Sequence, residues 1–268
     1  AINAAGNRVA VGAPLDGSSS AGIVFIINYD ETTGLWPGSN WASNITGVIK
    51  VNSGNGNVNL GGSLSFNAAG DVLAMGAPTI TTTASGRIFI IERDNTTGGW
   101  GRLDGTTGTD IITLLTNNYL TSYNLVASEN DTNFGRSVSL NAKGDRLAIG
   151  EYEKSNYTGR VHLIHYDYSN KRWWTDGNTI TTCSTLVRYY EGLTTEDTFG
   201  WQVALNAAGD RLIVGSPHND VNFNDSGSVH IFDYDYTTAQ WPGPSGTYSG
   251  KETYEFLGNE TNDLIGGS

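Results

Sequence analysis

Residues Val203 to Pro217 read VALNAAGDRLIVGSP, and this phrase returns three more times in the 268-residue chain. It stands as LSFNAAGDVLAMGAP at Leu64–Pro78 and as VSLNAKGDRLAIGEY at Val138–Tyr152; the chain also opens inside it, with AINAAGNRVAVGAP at Ala1–Pro14. The repeated Asn is Asn3, Asn67, Asn141 and Asn206. Self-similarity at a fixed period marks an array of like supersecondary units that bury their apolar faces against one another.

Each copy divides into four short strands. Val138 to Leu140 alternates into Asn141, and Ala142-Lys143-Gly144-Asp145 forms a tight turn in which Gly144 supplies positive φ. A second strand begins at Arg146. The third is Arg160 to Tyr166, with counterparts at Ile23–Tyr29, Arg87–Arg93 and Ser228–Tyr234. A second turn carries Asp30, Asp94, Asp167 or Asp235, followed by Trp36, Trp100, Trp173 or Trp241. The fourth strand, as in Thr185–Tyr190, is the least regular.

The third strands IVFIIN, RIFIIE, RVHLIH and SVHIFD are apolar at nearly every residue, the pattern of a strand covered on both faces. Four-stranded antiparallel sheets covered on both sides and repeated radially are propeller blades. Solenoids use shorter repeats, of roughly 20–45 residues. The sequence therefore predicts an all-β fold, a four-bladed β-propeller with a four-stranded antiparallel sheet in each blade. It forms one domain, with repeats at about 1–63, 64–136, 137–202 and 203–268.

Shorter motifs recur inside the repeat. Phe134-Gly135 and Phe199-Gly200 precede first strands, where Leu60-Gly61 and Ile265-Gly266 also stand. Gly12-Ala13-Pro14 and Gly76-Ala77-Pro78 close second strands; Gly215-Ser216-Pro217 is a near match and Gly150-Glu151-Tyr152 departs. In these motifs the chain resembles the FG-GAP family of β-propellers, which includes the integrin α-subunit head. The resemblance implies the propeller fold. Many members of that family carry calcium loops of alternating Asp and Asn before a Gly; here only Asn219 to Asp225 comes close, so no metal and no other cofactor is expected.

A formal charge of −12 disfavours a phosphate-binding surface, so no nucleic-acid partner is expected. No apolar run approaches the roughly 20 residues that span a bilayer. Cys183 is the only cysteine, which excludes a disulfide framework and a thiolate metal cluster. The chain begins inside a strand and reads as a processed or excerpted product. The extra residues between Leu103 and Asn133 read as a slack connection between blades, with a surface protrusion as the alternative.

Aligned on Phe134-Gly135-Arg136-Ser137, the final Ile265-Gly266-Gly267-Ser268 leads into a first strand whose remainder is Ala1-Ile2-Asn3. One strand is thus split between the termini. Leu264 to Ser268 is expected either to pair beside residues 1–3 of its own chain, or to complete the first blade of another copy by strand addition, or to continue covalently into that copy as a tandem array.

Six N-x-[ST] sequons occur, at Asn44, Asn95, Asn130, Asn156, Asn224 and Asn259. Asn156 and Asn224 share one loop column of the repeat, and glycans on these loops are expected in a secreted protein. The repeated Trp residues read as packing between blades, leaving Trp41, Trp174 and Trp201 as candidates for stacking on a sugar. His162 and His230 replace Phe25 and Phe89 in the third-strand column and read as core residues. Asp71, Asp145 and Asp210 each follow the turn Gly and read as hairpin closers, not as an acid–base pair. No nucleophile elbow or Ser/His/Asp spacing is visible.

The expectation is a non-enzymatic structural or adhesive module, extracellular or on a cell surface, glycosylated and a subunit of a fibre or polymer. The alternative is a carbohydrate-binding propeller. An enzyme with a central-channel site and a slice of a larger propeller are further readings.

Overall fold

The computed structural model describes residues 1–16, 20–37, 48–52, 59–78, 86–96, 98–100, 111–113, 123–126, 133–168, 172–173, 187–243 and 246–268. Asn44, Asn130, Trp41, Trp174 and Cys183 lie outside them. Among the described residues the chain forms four sheets.

Sheet I contains β1 (Arg8–Ala13), β2 (Ile23–Asn28) and β3 (Val48–Asn52), and sheet II contains β4 (Ser63–Phe66), β5 (Val72–Ala77) and β6 (Arg87–Glu92). The segment between Leu103 and Asn133 provides two described strands. Its β7 (Ile111–Thr113) adds parallel to β3 of sheet I, and its β8 (Tyr123–Val126) completes sheet II. Sheet III holds β9 (Ser137–Leu140), β10 (Arg146–Glu151), β11 (Arg160–Asp167), the short β12 (Arg172–Trp173) and β13 (Val187–Glu191). Sheet IV is β14 (Gln202–Leu205), β15 (Arg211–Ser216), β16 (Ser228–Asp233) and β18 (Tyr254–Leu257), while β17 (Gly246–Thr247) adds parallel to β13.

The Asn of the repeat builds the first turn of every copy. Asn141 Oδ1 accepts the backbone N–H of Asp145 and Arg146, both at 3.0 Å, and Asn141 Nδ2 donates to Asp145 Oδ1 at 2.9 Å. Gly144 sits at φ +76° and lets the chain reverse. The same clamp holds Asn67 with Asp71, Asn206 with Asp210 and Asn3 with Asn7. The repeated Asp residues are hairpin closers, as their sequence position implies.

The core lies between sheets rather than inside one. Ala10, Val24, Ile26 and Val51 of sheet I pack against Leu73, Met75, Phe89 and Trp100 of sheet II. Ala74, Ile88 and Ile90 then meet Leu147, Ile149 and Trp173 of sheet III, and Ala148, Val161 and Leu163 meet Leu212, Val214, Phe232 and Trp241 of sheet IV. Trp100, Trp173 and Trp241 are thus each packed between their own sheet and the preceding one.

Burial on both faces holds for β5, β6 and β10 and fails at the ends of the array. In sheet IV, Ile213, Tyr254 and Phe256 are 39%, 58% and 56% exposed, because no described sheet stacks over that side. At the other end Trp36, over which no described sheet stacks, is 42% exposed, whereas Trp100, Trp173 and Trp241 are buried. No described sheet closes on itself.

Candidate functional site

Polar contacts at fixed positions fasten each sheet to the next. In the turn, Ala4 N–H donates to Ala68 O at 3.1 Å, Ala68 N–H to Ala142 O at 3.0 Å, and Ala142 N–H to Ala207 O at 3.0 Å. Each turn Gly presses on the preceding Asn: a Cβ added at Gly70, Gly144 or Gly209 would lie 2.8, 3.0 or 2.9 Å from the Cβ of Asn3, Asn67 or Asn141. Arginine reinforces two junctions. Arg8 donates to Gly70 O with its guanidinium over Trp100, and Arg146 donates to Gly209 O at 2.8 Å with its guanidinium over Tyr234.

The glycine before each first strand is held from both sides. Gly61, Gly135 and Gly200 donate N–H to Gly76, Gly150 and Gly215 at 2.9, 3.0 and 3.1 Å, pairing with the second strand of the sheet they enter. Their carbonyls meanwhile press on Gly12, Gly76 and Gly150 of the preceding sheet, where any Cβ would overlap them. The FG and GAP glycines are therefore the same packing device seen from two sheets.

The split strand is placed at opposite ends of the array. The Ala1 amine donates to Ala10 O at 3.0 Å, Ile2 bridges Val9, and Asn3 closes the first turn, so residues 1–3 occupy the first-strand position of sheet I. Leu264 and Ile265 donate N–H to Asp225 O and Ser226 O, each at 3.1 Å, and Gly266 packs on Gly215. The tail therefore rests on sheet IV, as Gly61 rests on sheet I. Among the described residues no backbone hydrogen bond joins 264–268 to 1–3.

The sequon residues Asn95, Asn156, Asn224 and Asn259 are all exposed. Asn156 stands in a left-handed turn, where Ser155, Asn156 and Tyr157 have φ of 54°, 59° and 62°. Nothing in the local sequence announces three consecutive non-glycine residues in this region. Beside that turn Trp201 joins a half-buried aromatic cluster. Tyr152 meets it edge-on at 4.6 Å, His218 lies at 6.2 Å, and the Arg136 guanidinium covers one face at 5.4 Å. His218 in turn is 2.8 Å from Asp225.

Two buried polar networks escaped the sequence reading. Glu151, which breaks the GAP motif, lies 2.9 Å from His162 Nε2 in the core, so the two departures in copy three compensate one another. In sheet IV, Ser228 Oγ is 2.8 Å from His230 Nε2, and His230 Nδ1 is 3.4 Å from Glu255 Oε1. Burial holds His230 down to about 4, so it is neutral at pH 7, and its Nε2 is free to accept the Ser228 hydroxyl proton in a hydrogen bond. The order of groups is that of a nucleophilic triad, but Ser228 and His230 are fully buried between Phe199 and Tyr248. In this packing no substrate reaches the Ser228 hydroxyl. His165 is likewise held down to about 4 by burial and lies 3.3 Å from Trp241 Nε1.

In the loop that came closest to a calcium site, the backbone occupies the side chains: Asn219 Oδ1 accepts Val221 N–H and Asp220 Oδ1 accepts Asp225 N–H. Among the described residues, no three His, Cys, Asp or Glu side chains cluster as metal ligands. Among the same residues no helix is long and apolar enough to cross a membrane.

No curated protein matches the chain. A putative 6-phosphogluconolactonase from Bacteroides fragilis is similar over 98% of this chain and 57% of its own, with 10% identity and a TM-score of 0.52. TolB from Acinetobacter baumannii matches over 91% of this chain and 42% of its own, with 13% identity and a TM-score of 0.38. The chain thus spans about half the length of the solved structures it matches. Residues 192–232, which include the lead-in Phe199-Gly200 and the second strand ending at Gly215-Ser216-Pro217, match the family model of the FG-GAP repeat. The chain carries an FG-GAP repeat.

Proposed function

We propose that this chain is a non-enzymatic structural or adhesive module, extracellular or cell-surface, whose four sheets are the blades of a β-propeller-type array. The observation that carries this reading is the use made of the repeated polar residues. The repeated Asn closes a turn clamp in every copy, and Gly70, Gly144 and Gly209 are engaged in junctions between sheets, which leaves loops such as 153–158 and 218–226 to face the surroundings. Asn156 and Asn224 occupy those loops, and with Asn95 and Asn259 they supply exposed amides for N-linked glycan.

Glycopeptide mass spectrometry of the protein from its native source tests this reading. Glycan on Asn156 and Asn224 is expected; bare asparagine at all four exposed sequons overturns the secreted-glycoprotein reading.

A second reading, carbohydrate binding, is favoured by the Tyr152–Trp201–His218 cluster, where aromatic surface and polar groups meet. A glycan array probed with the wild type and Trp201→Ala decides it. Binding lost in the variant supports it, and silence of both proteins removes it.

A further inference from the structure

At the two ends of the array the junction contacts stop half-made, and the missing halves match. Sheet IV presents the donors. Ala207 N–H, the next in the series of turn amides, has no backbone acceptor among the described residues, and neither has Gly266 N–H, the next in the series of lead-in glycines. Arg211 stands one full repeat on from Arg146, yet it points along its own sheet to Asp233 instead of reaching a turn carbonyl. Ile213, Val229 and Ile231 occupy the positions of Ala148, Val161 and Leu163, which in sheet III are buried under the next sheet.

Sheet I presents the acceptors. Gly6 occupies the position of Gly70, Gly144 and Gly209, but a Cβ added there would meet no atom within 4 Å, because no preceding Asn presses on it. Ile2 and Trp36 are exposed where their counterparts in sheets II to IV pack against a neighbour. The apolar Val9 and Val11 are only half-buried, whereas Leu73 and Met75 at the same positions are buried.

We infer that the outer face of sheet IV receives sheet I of a second copy of this chain, head to tail, in the register of the internal junctions. Ala207 N–H then donates to Ala4 O, Gly266 N–H to Gly12 O, and Arg211 turns to Gly6 O of that copy. Asn206 packs on its Gly6, and its Trp36 closes over the junction as Trp100, Trp173 and Trp241 do internally. The tail 265–268 enters the second copy beside β1 and supplies the lead-in of a first strand begun again at its Ala1, a form of strand addition.

The occupant follows from continuity with three junctions already built in the molecule: the surface that fits a trailing face of this type is a leading face of this type, and sheet I carries one. One contact is absent. Ser139 Oγ accepts Leu205 N–H at 2.9 Å, but Ala204 stands at the equivalent position in sheet IV and offers no hydroxyl. Such an interface is heterologous, so copies add in one direction and form a ring or a filament according to the rotation per copy. This inference deepens the structural-module reading and rests on it.

The test is native mass spectrometry and light scattering of the full chain, made without glycan, over a concentration series, with cryo-electron microscopy of any assembly. Multiples of 28.6 kDa are expected. Deleting Leu264–Ser268 and, separately, replacing Arg211→Glu should each weaken association by about tenfold or more. Arg211 is exposed, so that variant keeps its fold if the deletion does not. Three results overturn the inference: a wild type that stays monomeric at all concentrations; assemblies indifferent to both variants; or a map in which 264–268 pairs beside residues 1–3 of its own chain. Because the material carries no glycan, failure here leaves the glycoprotein reading standing, and bare sequons in native material leave this one standing.

Discussion

The two faces of sheet IV have nearly the same chemistry and opposite surroundings. The face toward sheet III carries Val203, Leu212, Val214, His230 and Phe232, all buried. The opposite face carries Arg211, Ile213, Ile231, Tyr254 and Phe256, and it is largely open. Each face is as apolar as its partner would require, but only one has a partner among the described residues. The apolar pattern of a strand thus reports what it is made to touch, and only the neighbouring element decides whether contact occurs.

The largest expected contrast concerns the core. Leu147→Ala, in a closed junction, should destabilise the chain by about 3 kcal/mol, whereas Val9→Ala at the equivalent place on the open leading face costs about 1 kcal/mol or less. Urea unfolding of the two variants measures both, and equal costs would mean that the leading face is covered in solution.

Acid should act on the closed side of sheet IV. His230 protonates near 6.5 when unfolded but is held to about 4 in the fold. The stability gained by keeping it neutral is complete above pH 6.5 and is lost as pH falls from there toward 4, by up to about 3 kcal/mol. Thermal unfolding between pH 7 and pH 4 should therefore show a falling midpoint, and His230→Phe should flatten part of that fall. His165, also held to about 4, keeps the remainder.

A smaller contrast separates two turn glycines with the same backbone. Gly209 and Gly6 have φ of +73° and +70°, so alanine strains either by about 1 kcal/mol. Only Gly209 faces Asn141, and the collision there should add a further 1–2 kcal/mol, roughly the cost of overpacking. Equal losses in Gly209→Ala and Gly6→Ala would show that Gly6 is packed as well.

The smallest effect belongs to the arginines. Arg146→Ala removes a junction hydrogen bond and a stacked ring and should cost about 1 kcal/mol. Arg211→Glu should change the unfolding midpoint of the monomer little, since its ion pair with Asp233 lies at the surface with the Arg211 side chain exposed. A lowered midpoint at monomeric concentrations would place Arg211 in a junction of its own chain.

Much of the fold was legible before any coordinates. The Asn–Gly–Asp turns were readable because the clamp is local: a side chain bonds backbone four and five residues ahead. Burial of Trp100, Trp173 and Trp241 followed from their regular position, while Trp36 has the same sequence context and a different fate. The site was less legible. Of the stacking candidates, the structure describes only Trp201, and Arg136 covers one of its faces. Ser228, His230 and Glu255 were invisible as a group because β18 lies more than twenty residues beyond β16, and only strand pairing sets Glu255 opposite His230. The left-handed turn at Ser155 to Tyr157 left no signal in residue type.

The sequence alone determined the repeat, the all-β class, the turn chemistry and the residue type at each junction, because these depend on neighbours close along the chain and on a period that repeats. Tertiary structure alone decided which junctions are made. Stacking one sheet on another is a long-range contact, and identical residues at Gly6 and Gly144, or at Trp36 and Trp173, are open in one copy and closed in another according to what stands beyond them.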